Sequence, residues 1–212
     1  MLTQQKISRH LASFPVREDI IVDIISGPTA VGKSWVADRL KGTHQYVVPT
    51  TSRPRRQDEV NGVNYYFVTR TEYEKAILKG EMATTFILDK YYYGYSGKEF
   101  EKISNNNKRP LVIIYYKVLD PFLEKFPNSQ IYFMFPPYTE KGLDLLKRRM
   151  MSRTVVNFDA RWRDTLEQMY EMYVAKPNLL VRYPNSKLYT IEDDRSALKL
   201  IKDLEKNAIN AY

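Results

Sequence analysis

The chain of 212 residues has no cysteine, only two histidines, and no apolar run near the ~20 residues that a membrane span requires. Lacking cysteine, it can form no disulfide and no thiolate metal site, and it cannot run cysteine chemistry. The histidines, His10 and His44, have no metal-ligand spacing and read as surface residues. The opening Met1-Leu2-Thr3-Gln4-Gln5-Lys6 lacks a long apolar stretch after its first basic residue. It therefore predicts no signal peptide, no membrane partner and a cytoplasmic protein. Stability must come from an ordinary core. A chain of this length hides roughly 70% of its unfolded surface, and a composition 43% hydrophobic and 27% charged suits that.

The formal net charge is +8. A basic surface or a polyanionic partner, nucleotide or nucleic acid, explains such an excess equally well. The basic residues are knotted at Arg53-Pro54-Arg55-Arg56 and at Lys147-Arg148-Arg149, followed by Arg153, Arg161 and Arg163. Clusters at defined points fit a phosphate clamp better than an extended nucleic-acid face.

Along the chain, residues 3–13 predict a short amphipathic helix with Ile7, Leu11 and Phe14 near one face. Residues 19–25 read as a buried strand, 27–32 as a turn, 34–40 as a helix and 46–48 as a second strand. Residues 49–96 differ: turn and basic residues come first, then short β-like runs at 65–68 and 84–88 around a helix near 71–79. This predicts a small inserted lobe. Buried strands follow at 110–115 and 130–135, the latter stopped by Pro136-Pro137. Helices are predicted over 139–151, 160–174 and 194–205, and a last strand over 187–191. Trp162, Leu166, Met169 and Tyr173 are spaced as the core face of the 160–174 helix. The alternation predicts an α/β fold with a mainly parallel sheet flanked by helices. The expected division is an extension over 1–17, a core over 18–48 and 97–212, a lobe over 49–96 and a lid over about 150–163.

Gly27-Pro28-Thr29-Ala30-Val31-Gly32-Lys33-Ser34 follows a predicted strand and opens a predicted helix, the context that gives the P-loop pattern its meaning. Glycines let backbone N–H groups turn towards phosphate oxygens, and the helix N-terminus adds its dipole. Lys33 has the reach for the β- and γ-phosphates of ATP. Ser34 offers a hydroxyl to the Mg²⁺ that bridges them.

About twenty residues on, Arg53, Arg56, Glu59 and Tyr65 have a spacing that lets two guanidinium forks, a bracing carboxylate and a phenol converge on one phosphate. Read alone, the same spacing is also that of a surface charge cluster. With the P-loop before it, and with Glu59-Val60-Asn61-Gly62, Tyr92-Tyr93-Gly94, Phe133-Met134-Phe135-Pro136-Pro137 and the arginine-bearing helix 139–153, the chain resembles guanylate kinases from roughly residue 20 to 205. The resemblance implies a P-loop kinase fold and an ATP- and Mg²⁺-dependent transfer to a nucleoside monophosphate. It implies that Arg53, Arg56, Tyr65 and Tyr93 hold the acceptor phosphate and Glu59 braces the arginines. It also implies that Arg149, Arg153 and Arg163 are lid arginines and that Pro136 and Pro137 lie near adenine. Arg55 competes with Arg56 in this alignment, and Arg161 with Arg163.

The departures from the family pattern concern the base. Thr84 stands where an acidic residue reads guanine, and Ile114 and Tyr116 stand where an Asp-x-Asp pair lies near acceptor and metal, with Asp120 the nearest acid downstream. Pro49 replaces a hydroxyl-bearing residue, and Tyr95, followed by Ser96, stands where Ser or Thr is usual. A carboxylate accepts from two donors at once and a threonine hydroxyl cannot, so the expectation is a monophosphate kinase with altered base choice. Two other readings fit the same residues: a binding module that has lost catalysis, and a kinase of another phosphorylated acceptor. The sequence does not fix the oligomeric state.

Overall fold

A computed structural model describes residues 13–88, 90–152 and 158–209. The helix expected over 3–13 therefore lies outside the described residues save for its last position, as do His10, Arg153 and most of the predicted lid bridge. In chain order the elements are β1 (Asp23–Ser26), α1 (Lys33–Arg39), β2 (His44–Tyr46), β3 (Thr50–Thr51), β4 (Tyr66–Phe67), α2 (Arg70–Leu78), β5 (Met82–Leu88), β6 (Tyr91–Ser96), α3 (Gly97–Ser104), β7 (Arg109–Ile113), α4 (Leu119–Leu123), β8 (Gln130–Phe135), α5 (Glu140–Met151), α6 (Phe158–Arg182), β9 (Ser186–Thr190) and α7 (Asp194–Ile209). A 3₁₀ turn at Tyr116–Val118 precedes α4. No described helix is long and apolar enough to cross a membrane.

The chain divides into two compact units. One holds Asp23–His44, Ile113–Lys117 and the described residues from Ser129 on. Its centre is parallel: β1 pairs with β8 from Asp23↔Gln130 to Ser26↔Phe133, and β8 with β9 from Ile131↔Ser186 to Phe135↔Thr190. A strand covered on both faces reads as a near-continuous apolar run rather than an alternating one, as β8 does from Ile131 to Phe135. Every residue of β1 is buried too, the polar Asp23 and Ser26 with Ile24 and Ile25. Just beyond β7, the Ile114 N–H donates to the Ile25 carbonyl at 3.1 Å. Helix α7 buries Ala197, Leu200, Ile201, Leu204 and Ala208, a helical stripe. The Tyr189 hydroxyl donates to Asp203 at 2.6 Å and the Asn207 amide to the Tyr132 hydroxyl at 2.8 Å, so two strands are tied to this helix.

Three expectations need correction here. His44 is buried, not at the surface: its Nε2 lies 2.8 Å from Asp23 Oδ2 and its Nδ1 2.8 Å from the Thr43 hydroxyl. Helix α6 does not stop at 174 but runs through Pro177 to Arg182. An interior proline costs about 3 kcal/mol; burial of Leu179 and Tyr183 beyond it offsets that loss. The core face of α6 is Thr165, Met169, Met172 and Leu179, whereas Leu166 is exposed and Trp162 and Tyr173 are half-buried.

The other unit holds Gln45–Val112, Val118–Asn128 and the described residues up to Val22. Its sheet has the order β4-β3-β6-β5, with β3 parallel to β4 and antiparallel to β6, and β5 antiparallel to β6. A bulge between Met82 and Thr84 resets which residues face which side. On one side Tyr73 and Ile77 of α2 pack with Met82 and Tyr92, and the Tyr73 and Tyr92 rings stack at 5.1 Å. At Gly94 a β-carbon would meet the Thr84 carbonyl oxygen at 2.0 Å, so only glycine lets β6 approach β5 this closely. Helices α3 and α4 supply Phe100 and Phe122, which join Phe126 and Tyr95 in an aromatic cluster. Phe14 is buried against Phe126, in a turn rather than on a helix.

Candidate functional site

The P-loop segment links β1 to α1. Gly32 is the N-cap of α1 at φ 113°, a left-handed conformation that favours glycine. The Lys33 ammonium turns back over the loop and donates to the Gly27 and Pro28 carbonyls, both at 2.7 Å. Ser34 follows in the first turn of α1, exposed. From the last turn of α5, Arg149 Nη1 donates to the Val31 carbonyl at 3.0 Å, which brings this arginine onto the rim of the loop. Arg163 is exposed and Arg161 half-buried on the first turns of α6. Arg153 is outside the described residues.

Two groups that the sequence did not point to also reach this end of the unit, both from α6. Gln168 Oε1 accepts from the Thr29 N–H and from the Thr29 hydroxyl, each at 3.3 Å. One turn later Glu171 accepts from the Tyr115 hydroxyl at 2.6 Å and from the Lys117 ammonium at 2.5 Å. Lys117 foremost, then Tyr115, hold the Glu171 carboxyl below the usual carboxylate range. Ile114 is buried and Tyr116 half-buried. A carboxylate from a distant helix thus comes to the segment where the resemblance would have placed acids on the chain itself. Beside the loop lies a cavity of about 260 Å³ lined by Val31, Gly32, Trp35, Arg149, Ile191 and Asp194 among others. Neither Pro136 nor Pro137 lines it. The Pro136 carbonyl instead accepts from the Tyr173 hydroxyl.

In the other unit, Arg53 and Glu59 form a bidentate pair, Nη1 to Oε2 at 3.0 Å and Nη2 to Oε1 at 2.7 Å. Glu59 also accepts the Arg56 backbone N–H at 2.8 Å. Burial alone would raise the Glu59 carboxyl; the Arg53 guanidinium and the Arg56 N–H outweigh it and hold the group below its usual range. The Arg53 guanidinium lies 5.4 Å from the Tyr65 ring centre and 5.6 Å from that of Phe67. The Tyr65 ring meets Tyr93 edge-on at 6.0 Å, and Tyr93 stacks on Phe86 at 5.7 Å. Arg53, Glu59, Tyr65 and Tyr93 are therefore one cluster. The two competing arginines have separated: Arg55 Nη1 is engaged by the Glu59 carbonyl at 3.0 Å, whereas the exposed Arg56 side chain makes no hydrogen bond among the described residues.

Strand alternation places Thr84 on the same face of β5 as Phe86; Thr84 lies opposite Tyr95 and Phe86 opposite Tyr93, while Thr85 faces α2 and meets the Tyr73 hydroxyl at 3.3 Å. The Thr84 side chain is buried and its hydroxyl has no hydrogen-bond partner among the described residues. Tyr95 is a core residue, fully buried between Phe100 and Phe122. No group of three or more carboxylates or histidines suited to a metal ion occurs among the described residues.

Comparison with known proteins agrees with this geometry. A family model described as guanylate kinase matches residues 21–175. The guanylate kinase of Oceanobacillus iheyensis is 31% identical over 83% of this chain and 88% of its own length. That of Mycoplasma pneumoniae is 31% identical over 59% of this chain and 55% of its own. A crystal structure of guanylate kinase from Anaplasma phagocytophilum aligns with a TM-score of 0.62 at 21% identity, covering 89% of this chain and 86% of that one, and supports the fold. With a family model matched over residues 21–175 and a relative 31% identical over 83% of its length, the chain belongs to the guanylate kinase family.

Proposed function

We propose that the protein is an ATP-dependent nucleoside monophosphate kinase that transfers the γ-phosphate of ATP to an acceptor held by Arg53, Arg56, Tyr65 and Tyr93, with a base preference shifted away from guanine. The observation that carries it is the Arg53–Glu59 pair beside Tyr65 and Tyr93 in a chain that also keeps a complete P-loop. Phosphoryl transfer asks a protein for positioning and charge neutralisation more than for covalent chemistry. The bracing carboxylate fixes the Arg53 fork before substrate arrives, so less freedom is lost on binding phosphate. The acceptor phosphate is itself the nucleophile and needs no strong base.

At the donor end, Lys33 serves the β- and γ-phosphates from its place over the two loop carbonyls, and Arg149 on the loop rim, with Arg153 and Arg163 from the lid, balances the charge that moves. Two cavities could take the adenosine: the one of about 260 Å³ beside Trp35 and Arg149, and a larger one of about 800 Å³ that Pro137 lines. The donor set fits Mg²⁺ carried in by the nucleotide. Ser34 supplies one exposed hydroxyl, and a hard cation that keeps most of its waters needs few protein ligands. When bound, the ion would neutralise phosphate charge.

The base reading rests on Thr84. Its buried hydroxyl, without a partner among the described residues and on the face of β5 that also carries Phe86, offers one hydrogen bond where a carboxylate would offer two acceptors. A binding-module reading loses ground to the intact loop. An ADP-release assay with a panel of ribo- and deoxynucleoside monophosphates, with Lys33→Ala as blank, is the test. Turnover led by a nucleotide other than GMP supports the shift in base. Efficient turnover confined to GMP and dGMP refutes it, and silence across the panel refutes the acceptor class.

A further inference from the structure

We infer that Gln168 is a ligand of the terminal phosphate of ATP: its carboxamide oxygen holds Thr29 of the P-loop while its amide nitrogen donates to the γ-phosphate. This rests on the reading of the loop as an ATP site and names a contact within it.

The geometry decides which way the carboxamide points. A backbone N–H can only donate, so the atom facing the Thr29 N–H must be the oxygen. The Thr29 hydroxyl takes the same oxygen. The amide nitrogen is thereby left on the other arm with two N–H donors, and among the described residues it has no partner. Gln168 is half-buried on a helix fixed by the neighbouring buried Thr165, Met169 and Met172, so the carboxamide is presented from a rigid element.

Position along the loop says which phosphate it meets. The Lys33 ammonium sits on the Gly27 and Pro28 carbonyls. The P-loop lysine serves the β- and γ-phosphates, so these carbonyls mark that end of the cradle. Thr29 is the next residue. A donor pair tethered to Thr29 lies on the γ side, where ADP has no group to contact. The nearby acid does not spoil the site, because Glu171, one turn on, is bound to Lys117 and Tyr115.

The tether and the donor can be separated by substitution. Gln168→Glu keeps an acceptor for Thr29 but removes both donors and adds a charge that repels phosphate. Gln168→Ala removes tether and donor together. Titrating ATP and ADP, with Mg²⁺, into wild type and both variants reads the difference. A hydrogen bond to a charged group supports a loss of about tenfold or more in ATP affinity for Gln168→Glu with ADP affinity unchanged, and for Gln168→Ala a loss for ATP that exceeds the loss for ADP by about the same factor. Retained ADP binding also certifies that the variants are folded. Equal weakening of ATP and ADP, or a Gln168→Glu variant that binds ATP as wild type does, overturns the inference and leaves a glutamine that only holds the loop. If wild type binds neither nucleotide, the ATP-site reading itself fails and the inference goes with it.

Discussion

Arg53 carries most of the proposed acceptor recognition, because it is the arginine whose fork is already aligned by a carboxylate. Arg53→Ala should lower kcat/KM for the acceptor by about two orders of magnitude, the scale of a lost charge-assisted pair. Steady-state kinetics at saturating ATP would show it, and near-normal values would remove Arg53 from the site. Glu59 predicts a pH signature. Its carboxyl is depressed in the folded protein, so its contribution is complete above the ordinary carboxylate range and is lost as pH falls through the depressed value. Acceptor KM for wild type, divided by that of Glu59→Gln at each pH, should hold level through the ordinary carboxylate range and change only as pH falls below it. A change centred near neutrality would contradict the role given to Glu59. At Thr84, a carboxylate should restore two acceptors facing the base: Thr84→Glu should raise kcat/KM for GMP relative to the preferred monophosphate. An unchanged ratio would take Thr84 out of base selection.

At the scale of elements, β5 and β6 depend on Gly94. A methyl there meets a backbone oxygen at 2.0 Å and has no flexible side chain to displace. Gly94→Ala should cost several kcal/mol in urea unfolding, against about 1 kcal/mol for Thr69→Ala, which removes the Thr69–Glu72 capping box of α2. The elements also show what the sequence could reveal. Strand β8 runs over the span its uninterrupted apolar run predicts, because a strand buried on both faces needs no alternation. Strand β6 hides behind three tyrosines and a glycine, and its pairing with β3 and β5 is set by residues far off in sequence. Helices α3 and α4, the one opening on Gly97 and the other containing Pro121, carry poor local signals for packed helices. The acceptor cluster was legible because Arg53, Glu59 and Tyr65 lie within one short segment. Gln168 and Glu171 were not: their partners are 139 and 56 residues away, and nothing in a helical pattern says which loop its polar side will meet.

For the whole molecule, the proposed function assigns part of the +8 charge to anion recognition rather than to a plain basic surface. Arg53 is already paired and aimed, and Arg149 rests on the P-loop. A ligand that binds only the folded state should stabilise the chain: ATP with Mg²⁺ at a hundred times its Kd contributes about 2.7 kcal/mol, a rise in Tm of roughly 5–10 °C for a protein this size. Thermal unfolding with and without nucleotide checks this, and Lys33→Ala should abolish the rise. The most direct test of the account follows the phosphate itself. ATP labelled at the γ position, Mg²⁺ and the preferred monophosphate are mixed with the protein, and the products are separated. The account predicts label in the nucleoside diphosphate, at a rate that falls in Arg53→Ala and vanishes in Lys33→Ala. Label that remains in ATP, or that appears as free phosphate whether or not an acceptor is present, would contradict it.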